Sequence, residues 1–153
     1  MLRLVSFIDN FSTYAAPPLV DNTIVMSRPV RPDTKPQLIA VDDIGAFTAL
    51  AFSQPEKLVG RRIPLAGDEL TMTEIVEAFT KVTGIPARYE VQYIEQVRAY
   101  SEDLAHMYEF FENKGFQAGI PALCRLYPQV ARLEGRLRRT GRQPAPASYG
   151  EGA

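Results

Sequence analysis

Residues 41–57 read VDDIGAFTALAFSQPEK and predict an amphipathic helix that begins near Asp42. We expect the Asp42 side chain to accept hydrogen bonds from the first free backbone amides, and both Asp42 and Asp43 suit the positive end of a helix dipole. Pro55 and Gly60 are expected to close this unit. Four apolar side chains share one stripe of the helix and are expected to face a core: Ile44, Phe47, Leu50 and Ala51.

Directly after this helix, the sequence predicts a strand and a second capped helix. Residues 61–67, RRIPLAG, have the pattern of a strand that ends in a glycine turn. Residues 70–84 read LTMTEIVEAFTKVTG, in which Thr71 and Glu74 form a capping box: each side chain accepts from the other's backbone amide. Gly84 suits a left-handed C-cap. The buried stripe of this helix is predicted to contain Ile75, Ala78, Phe79 and Val82.

Upstream of residue 41, the sequence predicts three short strands: residues 2–5, 23–26 and 37–40. The first strand is expected to end in a turn that starts at Ser6, followed by a helical turn over residues 10–14. Asp21 and Asn22 predict the turn before the second strand. Strands and helices therefore alternate, which favours an α/β architecture.

Downstream of residue 84, the sequence predicts one strand, several helices and a tail: strand 87–92 and helices from Ile94, from Ser101 to Gly115, over 123–127 and over 129–139. Ser101 is expected to cap its helix. The buried stripe of that helix is predicted to contain Leu104, Met107, Tyr108 and Phe111. Residues 140–153 are small, polar and rich in proline and glycine, so we expect one domain over residues 1–139 and a disordered tail over 140–153.

The composition is that of an ordinary globular chain. The 153 residues are 46% hydrophobic and 23% charged, with a net charge of −1, so we expect no general attraction for nucleic acid or anionic membranes. No apolar run approaches the roughly 20 residues that span a bilayer, and we expect no membrane partner. A single cysteine, Cys124, fits a reducing compartment, and we predict a cytoplasmic protein.

Few side chains in this sequence suggest catalysis. No glycine-rich loop follows the first strand, and no tyrosine has a lysine four residues later. One histidine, His106, has no clustered partner, so we predict no metal site and interpret it as a surface residue. Cys124 is interpreted as a buried, inert thiol. The pair Asp42–Asp43 fits helix capping better than acid–base chemistry.

A series of arginines near the C-terminus is a weak candidate for nucleic-acid contact. Arg132, Arg136 and Arg139 share one face of a predicted helix. No aromatic side chains alternate with them to stack on bases, and arginines also complement the dipole at a helix C-terminus. We therefore do not expect nucleic acid as a partner.

Several segments together resemble a known family. Residues 2–11, LRLVSFIDNF, and residues 38–86 are similar to the second half of an NmrA-like protein, an atypical relative of the short-chain dehydrogenases and reductases. The most specific stretch is VDDIGAF, residues 41–47, with PEKLVGRRIPLAGDELT at residues 55–71. LAHMYEFFENKGFQAGIPALCRLYP, residues 104–128, resembles the closing helices of the family.

The resemblance extends from Met1 to about Leu137 and implies an α/β fold. It implies the C-terminal part of a Rossmann-like NAD(P)-binding fold plus a smaller α/β lobe. The strand over residues 2–5 would then be a late strand of the Rossmann sheet. The N-terminal glycine-rich half that anchors the nucleotide is expected to be absent from this sequence.

The resemblance also implies a cofactor site. Phe7, Ile8, Asp9 and Asn10 correspond to the family's segment beside the nicotinamide end of NADP, at the carboxyl end of a strand where open α/β sheets bind ligands. Phe7 would cover the ring, and Asn10 would hold the loop. Two residues depart from the family's usual pattern: Val5 stands where proline is frequent, and Asp9 stands where glutamate is frequent.

Two functions follow from the resemblance, and the sequence leaves both open. The first is part of an NAD(P)H-dependent reductase of small molecules such as quinones. The alternative is a non-catalytic NAD(P)-sensing regulator or protein-binding module with a regulatory protein partner. No catalytic residue is assigned, and we expect this chain alone to bind NADP weakly and to be inactive. An open sheet edge further predicts a homodimer.

Overall fold

The computed structural model describes residues 1–12 and 16–140. The strands described there are β1 (Leu2–Leu4), β2 (Ser6–Phe7), β3 (Leu19–Val20), β4 (Thr23–Arg28), β5 (Gln37–Ile39), β6 (Ile63–Leu65), β7 (Asp68–Glu69) and β8 (Ala87–Val91). The helices are α1 (Val41–Ser53), α2 (Pro55–Leu58), α3 (Met72–Thr83), α4 (Ile94–Tyr100), α5 (Glu102–Asn113), α6 (Ile120–Leu126) and α7 (Leu133–Thr140), with a 3-10 helix at Ile8–Ser12.

The strands form three small sheets, two of which share chain segments. β1 is parallel to β6, and β2 is parallel to β5, which pairs antiparallel with β7. β1 is followed by β2 after Val5, and β6 is followed by β7 after Ala66 and Gly67, so the same two stretches of chain contribute a strand to each of these sheets. In the third sheet, β3 and β4 form an antiparallel hairpin, and β4 is parallel to β8. The α/β architecture predicted from the sequence is confirmed.

The first strand differs from its prediction. Ser6 was expected in a turn, but it pairs with Leu38 as the start of β2. Val5, the break between β1 and β2, is buried in a hydrophobic core, and both strands on either side of it are paired. The helical turn begins at Ile8, two residues earlier than predicted. The predicted turn at Asp21 and Asn22 is confirmed: both have positive φ values, as a tight hairpin turn requires.

The ends of α3 agree with the sequence prediction. The Glu74 amide donates to Thr71 Oγ1 at 3.0 Å, and the Thr71 amide donates to a Glu74 carboxylate oxygen at 2.7 Å. Gly84 has a φ of +70°, the left-handed conformation that glycine adopts without strain. Both devices act within one or two turns of the chain, which explains why the local sequence predicted them.

The start of α1 does not agree with the prediction. The N-cap residue is Ala40, and no side chain at that position accepts a hydrogen bond. Asp42 does not cap the helix, because it lies inside the first turn and pairs with Arg136 at 2.9 Å. The amide of Val41 instead donates to Asp9 Oδ2 at 2.8 Å. Asp9, a residue of the 3-10 helix, therefore accepts from the first backbone amide of α1.

Two hydrophobic clusters hold the elements together. One cluster joins the 3-10 helix, β4, β5, α3 and α7, and its largest fully buried residues are Ile8, Ile24, Met26, Leu38, Ile75, Phe79 and Leu133. The other joins the β1–β2 bend, α1 and α6, and its buried residues are Val5, Ile39, Phe47, Leu65, Ala66, Ala118, Leu123 and Val130. β5 contributes to both clusters, since Leu38 and Ile39 point to opposite faces of the sheet.

The last helix ends one residue later than predicted. Thr140 was assigned to the tail, but it closes α7, where its hydroxyl donates to the carbonyl oxygen of Arg136 at 2.9 Å. Residues 141–153 lie outside the described part of the chain, so the predicted disordered tail stays a prediction there. Over residues 1–12 and 16–140, no helix is long and apolar enough to cross a membrane.

Replacing Gly67 with alanine is expected to destabilise the fold. A Cβ at this position would lie 2.6 Å from the carbonyl oxygen of Ala131 and 2.9 Å from Val130 Cγ2, and the backbone contact cannot be relieved by a rotamer change. We expect a loss of about 1–2 kcal/mol in the free energy of unfolding, measured by urea titration. Gly45→Ala is the matched control, because a Cβ there meets no atom within 4 Å and alanine favours the helix. An equal loss in both variants would contradict this account.

The predicted homodimer stays a prediction, and the outer edge of β1 is the place where two copies could pair. Among the described strands, β1 pairs with β6 alone, and Leu4 is 41% exposed. If two copies pair through this edge, light scattering will give twice the chain mass. Leu4→Lys is then expected to shift the protein to the monomer, because a charge on an edge strand opposes pairing. A monomer before any substitution would contradict the dimer.

Candidate functional site

A cleft of about 760 Å³ opens beside the carboxyl end of β2. Its walls come from β2, the 3-10 helix, the chain after β4, the start of α3 and the inner face of α5. The lining residues that matter most are Phe7, Asn10, Phe11, Arg28, Thr34, Met72, Leu104, Met107, Tyr108, Phe110, Phe111 and Phe116. A separate cavity of about 410 Å³ lies between α2, β6 and α6.

One wall of the cleft is aromatic. The ring centroids of Phe110 and Phe116 are 5.3 Å apart, those of Phe111 and Phe116 are 5.6 Å apart, and those of Tyr108 and Phe111 are 6.1 Å apart. Edge-to-face and tilted arrangements of this kind stabilise the rings against one another. The rings of this wall therefore support one another, and they present ring surface to the cleft.

The apolar stripe of α5 differs from its prediction. Leu104, Met107, Tyr108 and Phe111 were expected to be buried, and all four line the cleft. Tyr108 and Phe111 are half-buried and also pack against a hydrophobic core, whereas Leu104 and Met107 remain 37% and 38% exposed. The buried residue of this helix is Ala105. A helix that faces a ligand cleft has the same period of apolar residues as one that faces a core, so the spacing could not separate them. The predicted N-cap is confirmed, since Ser101 Oγ accepts from the amide of Leu104.

The four residues predicted to contact the cofactor fall into three groups. Phe7 and Asn10 line the cleft. The side chain of Ile8 is 1% exposed and belongs to a hydrophobic core, so it does not face the cleft. Asp9 is not among the lining residues, and its carboxylate instead binds the Val41 amide and the Arg136 side chain. The structure thus brings Phe7 and Asn10 together at one wall, and their contact with a cofactor stays a prediction.

Asp9 and Arg136 form an ion pair that anchors the 3-10 helix. Arg136 Nη2 donates to Asp9 Oδ1 at 2.5 Å, and the amide of Val41 donates to the other carboxylate oxygen of Asp9. Arg136 Nη1 also pairs with Asp42. The side chains of Asp9 and Arg136 are each 18% exposed. One arginine on α7 therefore links the loop beside the cleft to the start of α1.

The surroundings of Asp9 hold its carboxyl group ionised. Burial by itself would raise the pKa of Asp9, but the hydrogen bonds from the Val41 amide and from Arg136, with the positive charge of Arg136, outweigh it and lower the pKa below 3.8. In Arg136, the pairing with Asp9 raises the pKa although burial opposes it. Both groups are therefore charged near neutral pH.

Two further carboxylates hold the segment that leads into α7. Asp43 Oδ2 accepts from the amide of Ala131 at 2.7 Å, and burial raises the pKa of Asp43. Asp68 Oδ2 accepts from the amide of Leu133 at 2.9 Å, and Asp68 also pairs with Arg132. The interpretation of Asp43 as a cap of its own helix was wrong, because it serves a distant backbone group. These contacts fix α7 against α1 and β7.

Three arginines near the C-terminus form ion pairs with carboxylates of the same chain. Arg132 pairs with Asp68, Arg136 pairs with Asp9 and Asp42, and Arg138 pairs with Glu134 on the same helix. The sequence suggested dipole complementation or a basic surface for these arginines. For Arg132 and Arg136, the structure shows ion pairs to carboxylates that are distant in the sequence. The absence of nucleic acid among the partners stays a prediction.

Hydrogen bonds fix the polar side of the cleft. A carboxylate oxygen of Glu112 accepts from Thr34 Oγ1 at 2.7 Å, and the other accepts from the amide of Arg31 at 2.9 Å. These bonds join α5 to the loop after β4. The hydroxyl of Tyr89 donates to the carbonyl oxygen of Val30 at 2.7 Å, and burial raises the pKa of Tyr89 to about 12.

The remaining sequence candidates are placed outside the cleft. His106 is on the surface of α5, with a 63% exposed side chain 3.2 Å from Glu102, as predicted. Cys124 is half-buried, not fully buried as predicted, and its sulfur is 3.9 Å from Arg132 Nη2. Within the described residues, no three metal-ligating side chains cluster.

The residues around the cleft fit one end of a nicotinamide dinucleotide. Phe7 offers ring surface and Asn10 an amide beside the strand end, which suits a flat heterocycle with a carboxamide. The pyrophosphate normally binds at a free helix N-terminus, but here the first amide of α1 is taken by Asp9. The residues beside the strand end are thus compatible with the nicotinamide end, and the Val41 amide at the start of α1 is not free for a phosphate.

Several cleft residues were not found by sequence reasoning. Phe11, Arg28, Thr34 and Phe116 line the cleft although none was a candidate. The Phe110–Phe111 pair beside Tyr108 was the available signal, since three aromatic residues within four positions exceed what one buried stripe requires. Arg28 gave no signal, because its contribution depends on how β4 approaches α5.

The fold and cleft define a class, that of α/β proteins with a ligand cleft at the carboxyl end of a strand in a parallel pair. Within this class, the sequence profile of the NmrA-like family matches residues 1–135. The chain belongs to the NmrA-like family. This confirms the resemblance drawn from residues 2–11 and 38–86.

Individual relatives agree with this assignment. An NmrA-like family domain-containing protein of Dictyostelium discoideum is 29% identical over 76 residues, which are 49% of this chain and 25% of that protein. The solved structure of NmrA, a negative transcriptional regulator in complex with NADP, superposes with a TM-score of 0.70 at 17% identity, covering 91% of this chain and 51% of that one.

Solved structures of enzymes have the same fold. A nucleoside-diphosphate-sugar epimerase of Staphylococcus aureus superposes with a TM-score of 0.68 at 17% identity and covers 90% of this chain and 50% of that one. Pinoresinol-lariciresinol and phenylcoumaran benzylic ether reductases give 0.63 at 17% identity, with 90% and 50% covered. The chain spans about half the length of these solved structures, so the comparison shows a shared fold over one part of them.

Proposed function

We propose that this chain provides the small-molecule side of an NAD(P)H-dependent reductase, with the cleft beside Phe7 and Asn10 as its binding site. The observation that carries the proposal is the cleft itself, which has a volume of about 760 Å³ and an aromatic wall. Ligand sites for small molecules have roughly this size, about 300–1,000 Å³, and a mainly apolar lining with a few polar groups. A quinone, which is flat and apolar with two carbonyl oxygens, is a substrate of this kind.

The chain's own residues would bind and orient such a substrate. Phe110, Phe111 and Phe116 would contact its ring and exclude water from it. The side-chain amide of Asn10 would donate a hydrogen bond to one of its oxygens, whereas the Thr34 hydroxyl already donates to Glu112. NADPH would supply a hydride when bound, and Phe7 would lie against its nicotinamide end. Binding of NADP by this chain alone is expected to be weak, because no glycine-rich loop follows the first strand to hold the phosphates.

The experiment that tests the proposal is titration calorimetry with menadione, a neutral two-ring quinone. We expect saturable binding by the wild type and roughly tenfold weaker binding by Phe110→Ala, because a ring that contacts the ligand is removed. Tyr100→Ala is the matched control, since Tyr100 is an 84% exposed aromatic residue on α4 outside the cleft lining. No binding by the wild type, or equal affinity in both variants, would contradict the proposal.

A second candidate is a non-catalytic NAD(P)-sensing regulator or protein-binding module. It is supported by the cleft lining, in which the described residues include no lysine, histidine or carboxylate and the Tyr108 hydroxyl is the group that could move a proton. The similar fold of NmrA, a negative transcriptional regulator, is compatible with it. Reduction of menadione by NADPH above a protein-free control would decide against this candidate. A cytoplasmic location stays a prediction for both.

A further inference from the structure

The cavity of about 410 Å³ between α2, β6 and α6 has an apolar interior and shares no described lining residue with the cleft. Its lining includes Leu58 and Leu123, which are each 4% exposed, and the half-buried Ile63. Sites for small molecules occupy roughly 300–1,000 Å³ and are mainly apolar with a few polar groups. The cavity therefore has the size and the interior to hold a small ligand.

The mouth of this cavity has a basic rim, formed by the exposed residues Lys57, Arg61 and Arg62. Glu56 is the acidic residue of the described lining. Lys57 Nζ donates to the side-chain oxygen of Gln54 at 2.6 Å, and this neutral partner leaves the charge of the lysine uncompensated. Many arginines in the described part of the chain are paired with carboxylates, but none of those ion pairs includes a residue of the basic rim. The charges of the rim are therefore available to a ligand.

A tight turn holds the basic rim in place. At the end of α2, the amide of Val59 donates to the carbonyl oxygen of Pro55 at 2.8 Å. Gly60 follows with a φ of +79°, a conformation that glycine adopts without strain. β6 then begins at Ile63, in a parallel pair with β1. The cations before and after the turn thus lie at one cavity, on backbone that a helix and a strand fix at either end.

We propose that this cavity binds a soluble phosphate monoester with a small apolar group. The phosphate lies at the basic rim, and the apolar group contacts Leu58 and Leu123. A phosphate monoester carries close to two negative charges at pH 7, and the three basic residues and one acidic residue of the described lining leave two positive charges. Two guanidinium groups also offer planar forks of N–H donors that match phosphate oxygens. This inference does not depend on the proposed function of the cleft.

The test is an amide NMR titration of the whole chain with 2-naphthyl phosphate and with 2-naphthol, which has the same rings without the phosphate. We expect the phosphate to shift the resonances of Leu58 and Leu123 and to bind roughly tenfold more tightly than the alcohol, because charge-assisted hydrogen bonds are stronger than neutral ones. Added salt is expected to weaken this preference, since the rim is exposed. No binding, equal affinity for the two probes, or shifts confined to the cleft around Asn10 and Tyr108 would overturn the proposal.

Two double variants separate the basic rim from a general effect of net charge. Arg61→Gln with Arg62→Gln is expected to weaken the binding of 2-naphthyl phosphate roughly tenfold and to leave that of 2-naphthol nearly unchanged. Lys35→Gln with Lys114→Gln is the matched control, because it removes the same charge from exposed positions outside both linings. The control is expected to keep the affinity within about twofold. Equal losses in the two double variants would overturn the site.

A third variant tests the interior of the cavity without changing the charge of the protein. Ala122 lines the cavity from α6, and Ala122→Phe places a ring in the space that the naphthyl group would occupy. We expect roughly tenfold weaker binding of 2-naphthyl phosphate, because the apolar contact is lost. Unchanged affinity would contradict the proposed position of the ligand. This variant also serves as the test if the double arginine variant loses its native circular dichroism spectrum.

Sedimentation with vesicles distinguishes a soluble ester from a lipid headgroup with the same chemistry. The vesicles contain phosphatidylcholine with phosphatidic acid, whose headgroup is a phosphate monoester. We expect the protein to stay in the supernatant, because the site is a cavity for a small ligand. Sedimentation that the double arginine variant abolishes would assign the rim to a membrane surface and overturn the soluble ligand.

Discussion

Phe79→Ala is expected to cost about 3–5 kcal/mol of the free energy of unfolding, the largest effect we predict for a single substitution. Phe79 is fully buried on the inner face of α3, at the centre of the cluster that joins α3 to the 3-10 helix and α7. Its ring meets that of Phe11 edge to face, with centroids 5.8 Å apart. Because Phe11 lines the cleft, the same substitution should loosen the cleft wall.

Urea unfolding followed by circular dichroism measures this effect. Phe52→Ala is the matched control, because Phe52 is 83% exposed on α1 and its loss removes little buried surface. We expect the control to change the free energy of unfolding by less than about 0.5 kcal/mol. Comparable losses in the two variants would show that α3 is not packed as described.

Arg136→Met is expected to cost about 2–3 kcal/mol, the second-largest effect. Removing the guanidinium leaves the partly buried carboxylate of Asp9 with the Val41 amide as its remaining partner described here. Fully buried pairs cost more when one partner is removed, and the 18% exposure of both side chains reduces the value. Arg138→Met is the matched control on the same helix, since Arg138 is exposed and pairs with Glu134 alone among the described residues.

The pH dependence of this difference follows from Asp9. Its pKa in the folded protein lies below 3.8, so its pairing stabilises the fold above the pKa of the unfolded state and is lost as the pH falls through the folded value. The gap in unfolding free energy between the wild type and Arg136→Met should therefore be constant above about pH 5 and shrink towards pH 3. A gap that grows on acidification would contradict the ion pair. A double-mutant cycle with Asp9→Asn measures the coupling directly.

Local signals predicted the helices well and the cleft poorly. The capping box at Thr71 and Glu74 lies within one helical turn, so the sequence contains the whole interaction. The ion pair between Asp9 and Arg136 joins residues 127 positions apart, and nothing near either residue indicates the other. For the same reason, the cap of α1 was assigned to Asp42, the nearest acid, although the distant Asp9 provides it.

The α5 helix shows a second limit of sequence reasoning. The spacing of its apolar residues was predicted correctly. That spacing shows that one face of the helix is apolar, but it does not show whether a core or a cleft lies against that face. Leu104 and Met107 therefore read as core residues while they line a cleft. Conversely, the resemblance of residues 2–11 placed Phe7 and Asn10 at a strand end beside that cleft. Ile8 lies in the same segment. It is buried in the hydrophobic cluster that also contains residues of α3 and α7, and the sequence does not show this packing.

The most direct test of the central claim is an amide NMR titration of this chain with menadione and, separately, with NADPH. Menadione is expected to shift the resonances of cleft residues such as Phe7, Asn10 and Tyr108, while the smaller cavity around Leu58 and Leu123 is unaffected. NADPH is expected to give no saturable shifts at micromolar concentrations, because no glycine-rich loop follows the first strand to bind its phosphates. Micromolar binding of NADPH, or menadione shifts confined to the smaller cavity, would contradict the account.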